Sequence, residues 1–424
     1  MSGFPPSLIR RVVVTGVGAV TPLGHDAESF WQGARAGRSG IGRVQGFDSS
    51  DLDSRIAGQV REFDVDAILR QKDRPHLPRP VPLALGAATE ALGQAGLLEA
   101  GAYRGRSEEA SVVIGSGGGA FEFLERQFGH YYRNEIRKAS IYSIPSSTTG
   151  TISSELSTAF GIRGMSHVLS DGCTSSTDAI GYAFRHVRHA AAEVVLTGGV
   201  DATITHAGLL GFTLMKVVAS GWNDEPERGS RPFDRDRAGF VLGEGAWMLV
   251  LEELQHARRR GAKILGEVLG YGATCEAYHR VRLLEDGAES ARAISLALAE
   301  AALHPEAVDY VALHGTSTRM NDAVETRAVK RALGDHARRV PMSALKSMIG
   351  HPQGASGAAG VVATLLSMRD GFVHPTVNLD SPDPECDLDY VANTGRAHPI
   401  EVAIANCIGF GSKNAALALR RWQD

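Results

Sequence analysis

Short apolar runs alternate along the chain with longer stretches whose apolar residues recur at helical spacing. RVVVTGV (11–17), ASVVIGS (110–116), MSHVLS (165–170), AEVVLTGG (192–199) and GAWMLVLEEL (245–254) are apolar segments bounded by glycine or polar residues, a pattern that predicts strands. AKILGEVLGYG (262–272), VDYVALHG (308–315), RVPMSAL (339–345) and VAIANC (402–407) repeat it. VPLALGAATEALGQAGL (81–97) and SARAISLALAEAAL (290–303) instead predict helices with one apolar face. Strands separated by helix-length segments imply a layered α/β architecture. No heptad repeat, low-complexity segment or long linker interrupts the pattern.

The order of elements recurs. At 165–198 a strand leads to a turn bearing Cys173, then a helix with Ile180, Phe184 and Val187 on one face, then another strand. At 339–407 a strand leads to a turn bearing His351, then a helix with Val361, Leu365 and Met368, then later strands. Identity between the two segments is negligible, so the repeat is one of pattern. It predicts two halves, 1–258 and 259–424, meeting near the basic run HARRRGAK.

Composition narrows the class. Of 424 residues, 43% are hydrophobic and 22% charged, enough apolar material for a sizeable core. Acids outnumber bases 48 to 44, so no global basic field draws nucleic acid or membrane. Four scattered cysteines, Cys173, Cys275, Cys386 and Cys407, form no C-x-x-C pair and suit a reducing compartment. The N-terminal stretch MSGFPPSLIRRVVVTG lacks the apolar core of a signal peptide, and no run reaches the ~18 apolar residues of a membrane span. A cytoplasmic protein is expected.

Three positions carry candidate chemistry. Cys173, in SDGCTSSTDAIGYA, sits immediately before a predicted helix, where the helix dipole lowers a thiol pKa. Gly172, Thr174, Ser175 and Ser176 are small enough to let a substrate approach it. The usual fate of a cysteine, a small buried hydrophobe, is assigned to Cys275, Cys386 and Cys407. His314 leaves a strand into the turn HGTST, and His351 follows Lys346 by five residues in SALKSMIGHPQGASGAAG. Glu325, three residues after Asp322, is a candidate partner for Lys346. One cysteine with two histidines suits acyl transfer, with a thiolate to carry the acyl group and imidazoles to stabilise a developing enolate. Two glycine-rich turns, GVGAVT (16–21) and GSGGGA (115–120), approximate a dinucleotide fingerprint, but neither leads to the acidic residue that a ribose site needs. A nicotinamide-dependent reductase rests on those turns alone. Walker A, H-E-x-x-H and G-x-S-x-G patterns do not occur.

Taken together these segments resemble the β-ketoacyl-acyl carrier protein synthases, the condensing enzymes of fatty acid and polyketide synthesis. RVVVTGVGAVTPLG, DGCTSSTDAIG, RPFDRDRAGFVLGEGA (231–246), HGTSTRMND, LKSMIGHPQGASGAAG and NCIGFGSKN (406–414) look like the family's ordered motifs across nearly the whole chain. The resemblance implies a thiolase fold, a duplicated α/β/α/β/α layering. It also implies that Cys173 is the acylated nucleophile and that His314 and His351 form the decarboxylation pair. Lys346 and Glu325 would be a supporting ion pair. Phe410 would be the gating residue, its backbone N–H completing an oxyanion hole with that of Cys173. No metal or organic cofactor is implied.

Partners follow from the same resemblance. Acyl carrier protein would deliver substrates, and the chain would dimerise with itself or with a chain-length factor. Within GGAFEFLERQF (118–128), Phe123 and Leu124 are candidates for the acyl pocket. Arg70, Lys72, Arg74 and Arg79, with Arg133, Arg137 and Lys138, are candidate docking cations for an acidic carrier. Two departures stand out. Ser412 occupies the last position of the usual GFGG, and AYHRVRLLEDG lacks the threonine and proline that commonly follow AYH. DGCTSSTDAIGYA is nearest to the ketosynthase subunit of type II aromatic or polyene polyketide systems; a housekeeping fatty acid synthase II is the alternative. A thiolase using coenzyme A is disfavoured because His351 stands where thiolases use a second cysteine. A non-catalytic chain-length factor is disfavoured because Cys173 is present.

Overall fold

The computed structural model describes residues 9–423, so part of the N-terminal stretch discussed above lies outside the described residues. Ten strands build one mixed sheet: β1 (Val12–Val20), β2 (Ala110–Gly115), β3 (Ser166–Leu169), β4 (Val194–Asp201), β5 (Gly245–Glu253), β6 (Gly266–Cys275), β7 (Tyr310–Ala312), β8 (Met342–Ser343), β9 (Val402–Gly409) and β10 (Lys413–Arg421). Their order across the sheet is β8-β7-β9-β10-β6-β1-β5-β4-β2-β3. Outward from the central β1–β6 contact, each half runs first, fifth, fourth, second, third of its own strands. The inner two pairings of each half are antiparallel and the outer two parallel. The repeat read from the sequence is therefore a repeat of topology.

The helices that matter for the site are α1 (Pro80–Gln94), α2 (Phe121–Tyr132), α3 (Ser175–Arg188), α4 (Ala288–Glu300), α5 (Arg319–Leu333) and α6 (Ser356–Asp370). The largest apolar cluster surrounds α3 and α6 between the two half-sheets. It contains Ile180, Phe184, Val187, Val361, Leu365 and Met368, the residues expected on one face of each helix. A second cluster joins α1 to the outer face of one half-sheet, and a third joins α4 and α5 to the outer face of the other. The result is the five-layered duplication expected from the motifs.

GVGAVT is not a turn; it continues β1 to Val20. A Cβ on Gly16 or Gly18 would stand 2.1 Å from Ala91 O or 2.0 Å from Ala87 O of α1, so the glycines set how closely that helix packs. Gly270 and Gly272 of β6 repeat the device against Ala297 O and Ala293 O of α4, at 2.2 and 2.0 Å. Each glycine pair follows a register irregularity, between Val14 and Gly16 and between Val268 and Gly270. Among the described residues no helix is long and apolar enough to cross a membrane.

Candidate active site

The central helices bring the reactive residues together. Cys173 lies in the single 3-10 turn Gly172–Thr174 that opens into α3, and His351 precedes the turn Gln353–Ala355 that opens into α6. Cys173 Sγ is 3.2 Å from His351 Nε2, and both residues are buried. His314, just beyond β7, faces His351 edge-on with ring centroids 5.3 Å apart. One donor atom from each of Cys173, His314 and His351 lies within 4.8 Å of the others. These residues line a cavity of about 310 Å³ with Phe240 and Phe410. Among the described residues, no other group of three His, Cys, Asp or Glu could hold a metal ion.

Neighbours fix the imidazoles. Lys346 Nζ donates to His314 O at 2.7 Å and faces His314 Nδ1 at 3.4 Å. A cation there requires a lone pair on Nδ1, so the His314 proton resides on Nε2. His351 Nδ1 lies 3.0 Å from Ser356 Oγ. That hydroxyl can donate or accept, so it supports either tautomer of His351. Burial and the Lys346 charge hold both histidines well below the usual imidazole pKa, and the rings are neutral at neutral pH.

Lys346 and Glu325 form no ion pair within 4.0 Å among the described residues, contrary to the expected pairing. They brace His314 from different sides. Glu325 accepts from the backbone N–H groups of His314 and Gly315 and from Asn406 Nδ2, each at 2.7 Å. Burial pushes its carboxyl up to about 7. The central signature adds a second brace: Arg237 donates to Thr318 O at 3.1 Å and to Arg319 O at 3.0 Å, while Asp322 accepts from Phe233 N at 2.9 Å.

The thiol differs from its sequence expectation. Burial pushes Cys173 up to about 11, against the lowering influences of Lys346 and of the backbone N–H groups of Phe410 and Cys173 itself. Desolvation outweighs the helix terminus because burial disfavours the charged form of the thiol more than the nearby N–H groups and Lys346 favour it. The two N–H groups are those expected for the oxyanion hole. Cys407 is not mere packing: its Sγ donates to Cys173 O at 3.1 Å and lies 3.4 Å from His314 Nδ1. Cys275 is exposed, contrary to its reading as a buried hydrophobe, whereas Cys386 is buried.

Asp201, at the end of β4, escaped sequence reasoning. Its carboxylate accepts from Ser116 Oγ at 2.9 Å, Gly117 N at 2.8 Å, Gly118 N at 2.9 Å and Gly354 N at 2.6 Å. It thus ties the GSGGGA turn to the turn after His351. The amides that a dinucleotide phosphate would need are occupied by this side chain. The two family departures also meet, since Ser412 Oγ donates to His279 O at 2.9 Å and accepts from His279 N at 3.2 Å. The serine, at φ +66 where glycine is favoured, clips the 276–287 loop to the Phe410 turn.

Other candidates fall elsewhere. Phe123 is fully buried under Arg126, and Leu124 lines an apolar surface cavity with Phe128 and Tyr131; neither lines the Cys173 cleft. Arg79 is paired with buried Glu244 and is structural. Arg70 and Arg74 are exposed but paired with Asp73 and Asp66, and Arg133 and Lys138 share Glu135. Lys72 and Arg137 are exposed.

Residues 9–257 match the β-ketoacyl synthase N-terminal domain and residues 265–380 its C-terminal domain. The chain belongs to the β-ketoacyl synthase family. It is a ketosynthase-type acyltransferase with β-ketoacyl-acyl carrier protein synthase activity. It is 42% identical to a 3-oxoacyl-[acyl-carrier-protein] synthase 2 of Synechocystis over 98% of this chain and 99% of the relative. It is 40% identical to a putative polyketide β-ketoacyl synthase 1 of Streptomyces halstedii, over 97% and 98%. The ishigamide ketosynthase/chain length factor superposes with a TM-score of 0.90 at 30% identity, covering 98% of this chain and 100% of that one. A type II polyketide ketosynthase in complex with its acyl-carrier protein gives the same values. The thiolase fold of these ketosynthases is the fold of this chain.

Proposed function

We propose that this ketosynthase extends carrier-bound chains in type II polyketide synthesis, using Cys173 as nucleophile and His314 with His351 as the decarboxylation pair. The supporting observation is the convergence of the Cys173 sulfur and both imidazoles within 4.8 Å in one cleft. In loading, the neutral His351 at 3.2 Å takes the thiol proton as sulfur attacks the acyl carbonyl. The N–H groups of Cys173 and Phe410 hold the oxyanion. Collapse breaks the carrier's C–S bond, and the departing thiolate takes the proton from His351.

Malonyl-carrier protein then loses CO2. The electron pair of the broken C–C bond passes into an enolate, whose oxygen receives hydrogen bonds from Nε2–H of His314 and of His351. The neutral His351 ring has by then shifted its proton from Nδ1 to Nε2, a tautomer that Ser356 Oγ at 3.0 Å equally supports. The enolate carbon attacks the acyl-Cys173 carbonyl, the C–S bond breaks, and a solvent proton restores the thiol. The product is a 3-oxoacyl chain two carbons longer. Thioester cleavage and CO2 release drive the reaction, so the scheme uses no cofactor and fits a cytoplasmic enzyme.

The partners are acyl carrier protein and a second subunit, either another copy or a chain-length factor. Among the described residues, strand β3 pairs on one side only and ends the sheet. Tyr132, Ile141 and Ile144 are 76%, 80% and 79% exposed, large apolar side chains that a partner subunit would cover. Several relatives are named 3-oxoacyl-[acyl-carrier-protein] synthase 2, and for this chain that supports a second reading, single elongation in fatty acid synthesis. Incubation with malonyl-carrier protein, alone and with a cognate chain-length factor, separates the two. Unreduced poly-β-keto chains support the polyketide reading; single two-carbon extension of saturated acyl chains only would replace it.

A further inference from the structure

Cys407 takes no part in the reaction steps above, yet its sulfur stands between two residues of the proposed reaction. It lies near the end of β9, three residues before Phe410, and it is buried. Its Sγ donates to Cys173 O at 3.1 Å and so holds the carbonyl of the nucleophile's own residue. The same atom lies 3.4 Å from Nδ1 of His314, the ring nitrogen other than the Nε2–H donor.

The end of β9 is a fixed support for both residues. The strand pairs with β10 on one side and on the other with β7, from which His314 departs. Consecutive residues of β9 serve His314 in different ways. Asn406 Nδ2 donates at 2.7 Å to Glu325, which accepts from the backbone N–H of His314 at 2.7 Å. Cys407 faces the His314 ring itself. The turn that bears Cys173 packs on the same strand, where a Cβ on Gly409 would stand 3.5 Å from Cys173 N. Among the described residues, Cys407 is the side chain of β9 that reaches both Cys173 and His314.

A thiol has one proton to give, and two acceptors face this one. With the proton on Cys173 O, Lys346 Nζ at 3.4 Å is the donor left for His314 Nδ1. The sulfur then packs against the ring and limits how far it can turn, since close-packed interiors leave no slack for such a movement. We propose that Cys407 is a positioning residue for condensation, its S–H fixing the Cys173 carbonyl and its sulfur fixing the His314 ring, so that the acylated thiol and the enolate donor stay in register. This rests on the roles of Cys173 and His314 in the proposed function. No bond to Cys407 forms or breaks in the reaction.

The test measures acyl loading of Cys173 and decarboxylation of malonyl-carrier protein, both read by intact mass, in Cys407→Ala, in Cys407→Ser and in Cys407→Ala/His314→Ala. A neutral hydrogen bond of this kind amounts to a factor of about three to ten, so Cys407→Ala should lower kcat for both steps by that much with KM unchanged. Cys407→Ser keeps a donor in place and should return kcat to within about twofold of wild type. In the His314→Ala background, Cys407→Ala should still slow loading but lower decarboxylation no further, because the ring it positions is gone. Unchanged kcat in Cys407→Ala, equal losses in the alanine and serine variants, or a fully additive loss of decarboxylation in the double variant would overturn the proposal. Should Cys407→Ala not fold, the serine variant decides: near-wild-type kcat supports the assignment, and a loss of about tenfold in the folded protein would overturn it. Acylation of Cys173→Ala, or normal decarboxylation in His314→Ala, would instead overturn the proposed function on which it rests.

Discussion

A buried sulfur beside a neutral imidazole behaves differently from an exposed helix-terminal thiolate. Because burial pushes Cys173 up to about 11, its thiolate fraction grows as pH rises through the alkaline range. Iodoacetamide labelling of the resting enzyme should therefore keep accelerating above pH 9; a plateau below pH 8 would show that the helix terminus dominates. The histidines should separate by step. On the proposed scheme His314→Ala and His351→Ala each remove an enolate donor, and each should cost about 10²–10³-fold in malonyl decarboxylation. His314→Ala should load Cys173 more readily than His351→Ala, since only His351 lies 3.2 Å from the sulfur. Normal decarboxylation in both variants would remove them from the reaction. These residues were legible in the sequence because reactive side chains at strand ends among small residues are unusual. Ser356, Cys407 and Asp201 were not, because they act through contacts with segments remote in sequence.

Asp201 operates between elements. Its four hydrogen bonds join the GSGGGA turn to the start of α6, and burial pushes its carboxyl up to about 6. Asp201→Asn presents an amide to donors that need an acceptor, so stability should fall by about 2–5 kcal/mol. Decarboxylation should fall further than loading because the His351 turn moves. An unchanged denaturation midpoint would show that the carboxylate is dispensable. The close helix–strand contacts make a parallel prediction. Gly18→Ala places a methyl 2.0 Å from Ala87 O and should destabilise by about 1–3 kcal/mol, read in the same assay. Element type was largely readable, with instructive exceptions. GVGAVT looked like a turn because glycine usually marks one, whereas here it admits a helix. Strand β10 was not anticipated, since AALALRR is built from helix-favouring residues. Burial of its central residues between β6 and β9 overrides that propensity.

At the scale of the whole molecule, duplication explains why one thiol and one imidazole meet. Cys173 and His351 occupy corresponding turns of the two halves, each at the start of a central helix, and the packing of α3 on α6 closes the distance between them. The repeat of pattern was visible in the sequence, while the shared sheet was not, because strand order is set by pairing between distant segments. The exposed apolar side chains of Ile141 and Ile144 make a further prediction. In the proposed two-subunit assembly, wild type should sediment as a dimer and Ile141→Asp/Ile144→Asp as a monomer; a dimeric variant would place the interface elsewhere, and a monomeric wild type would contradict self-association. The central claim is that Cys173 accepts an acyl group from a carrier thioester. Intact mass after incubation with acyl-carrier protein measures this directly. Wild type should gain the mass of one acyl group, removable by hydroxylamine, and Cys173→Ala should gain none. Acylation of that variant to the wild-type extent, or its absence from wild type, would contradict the account.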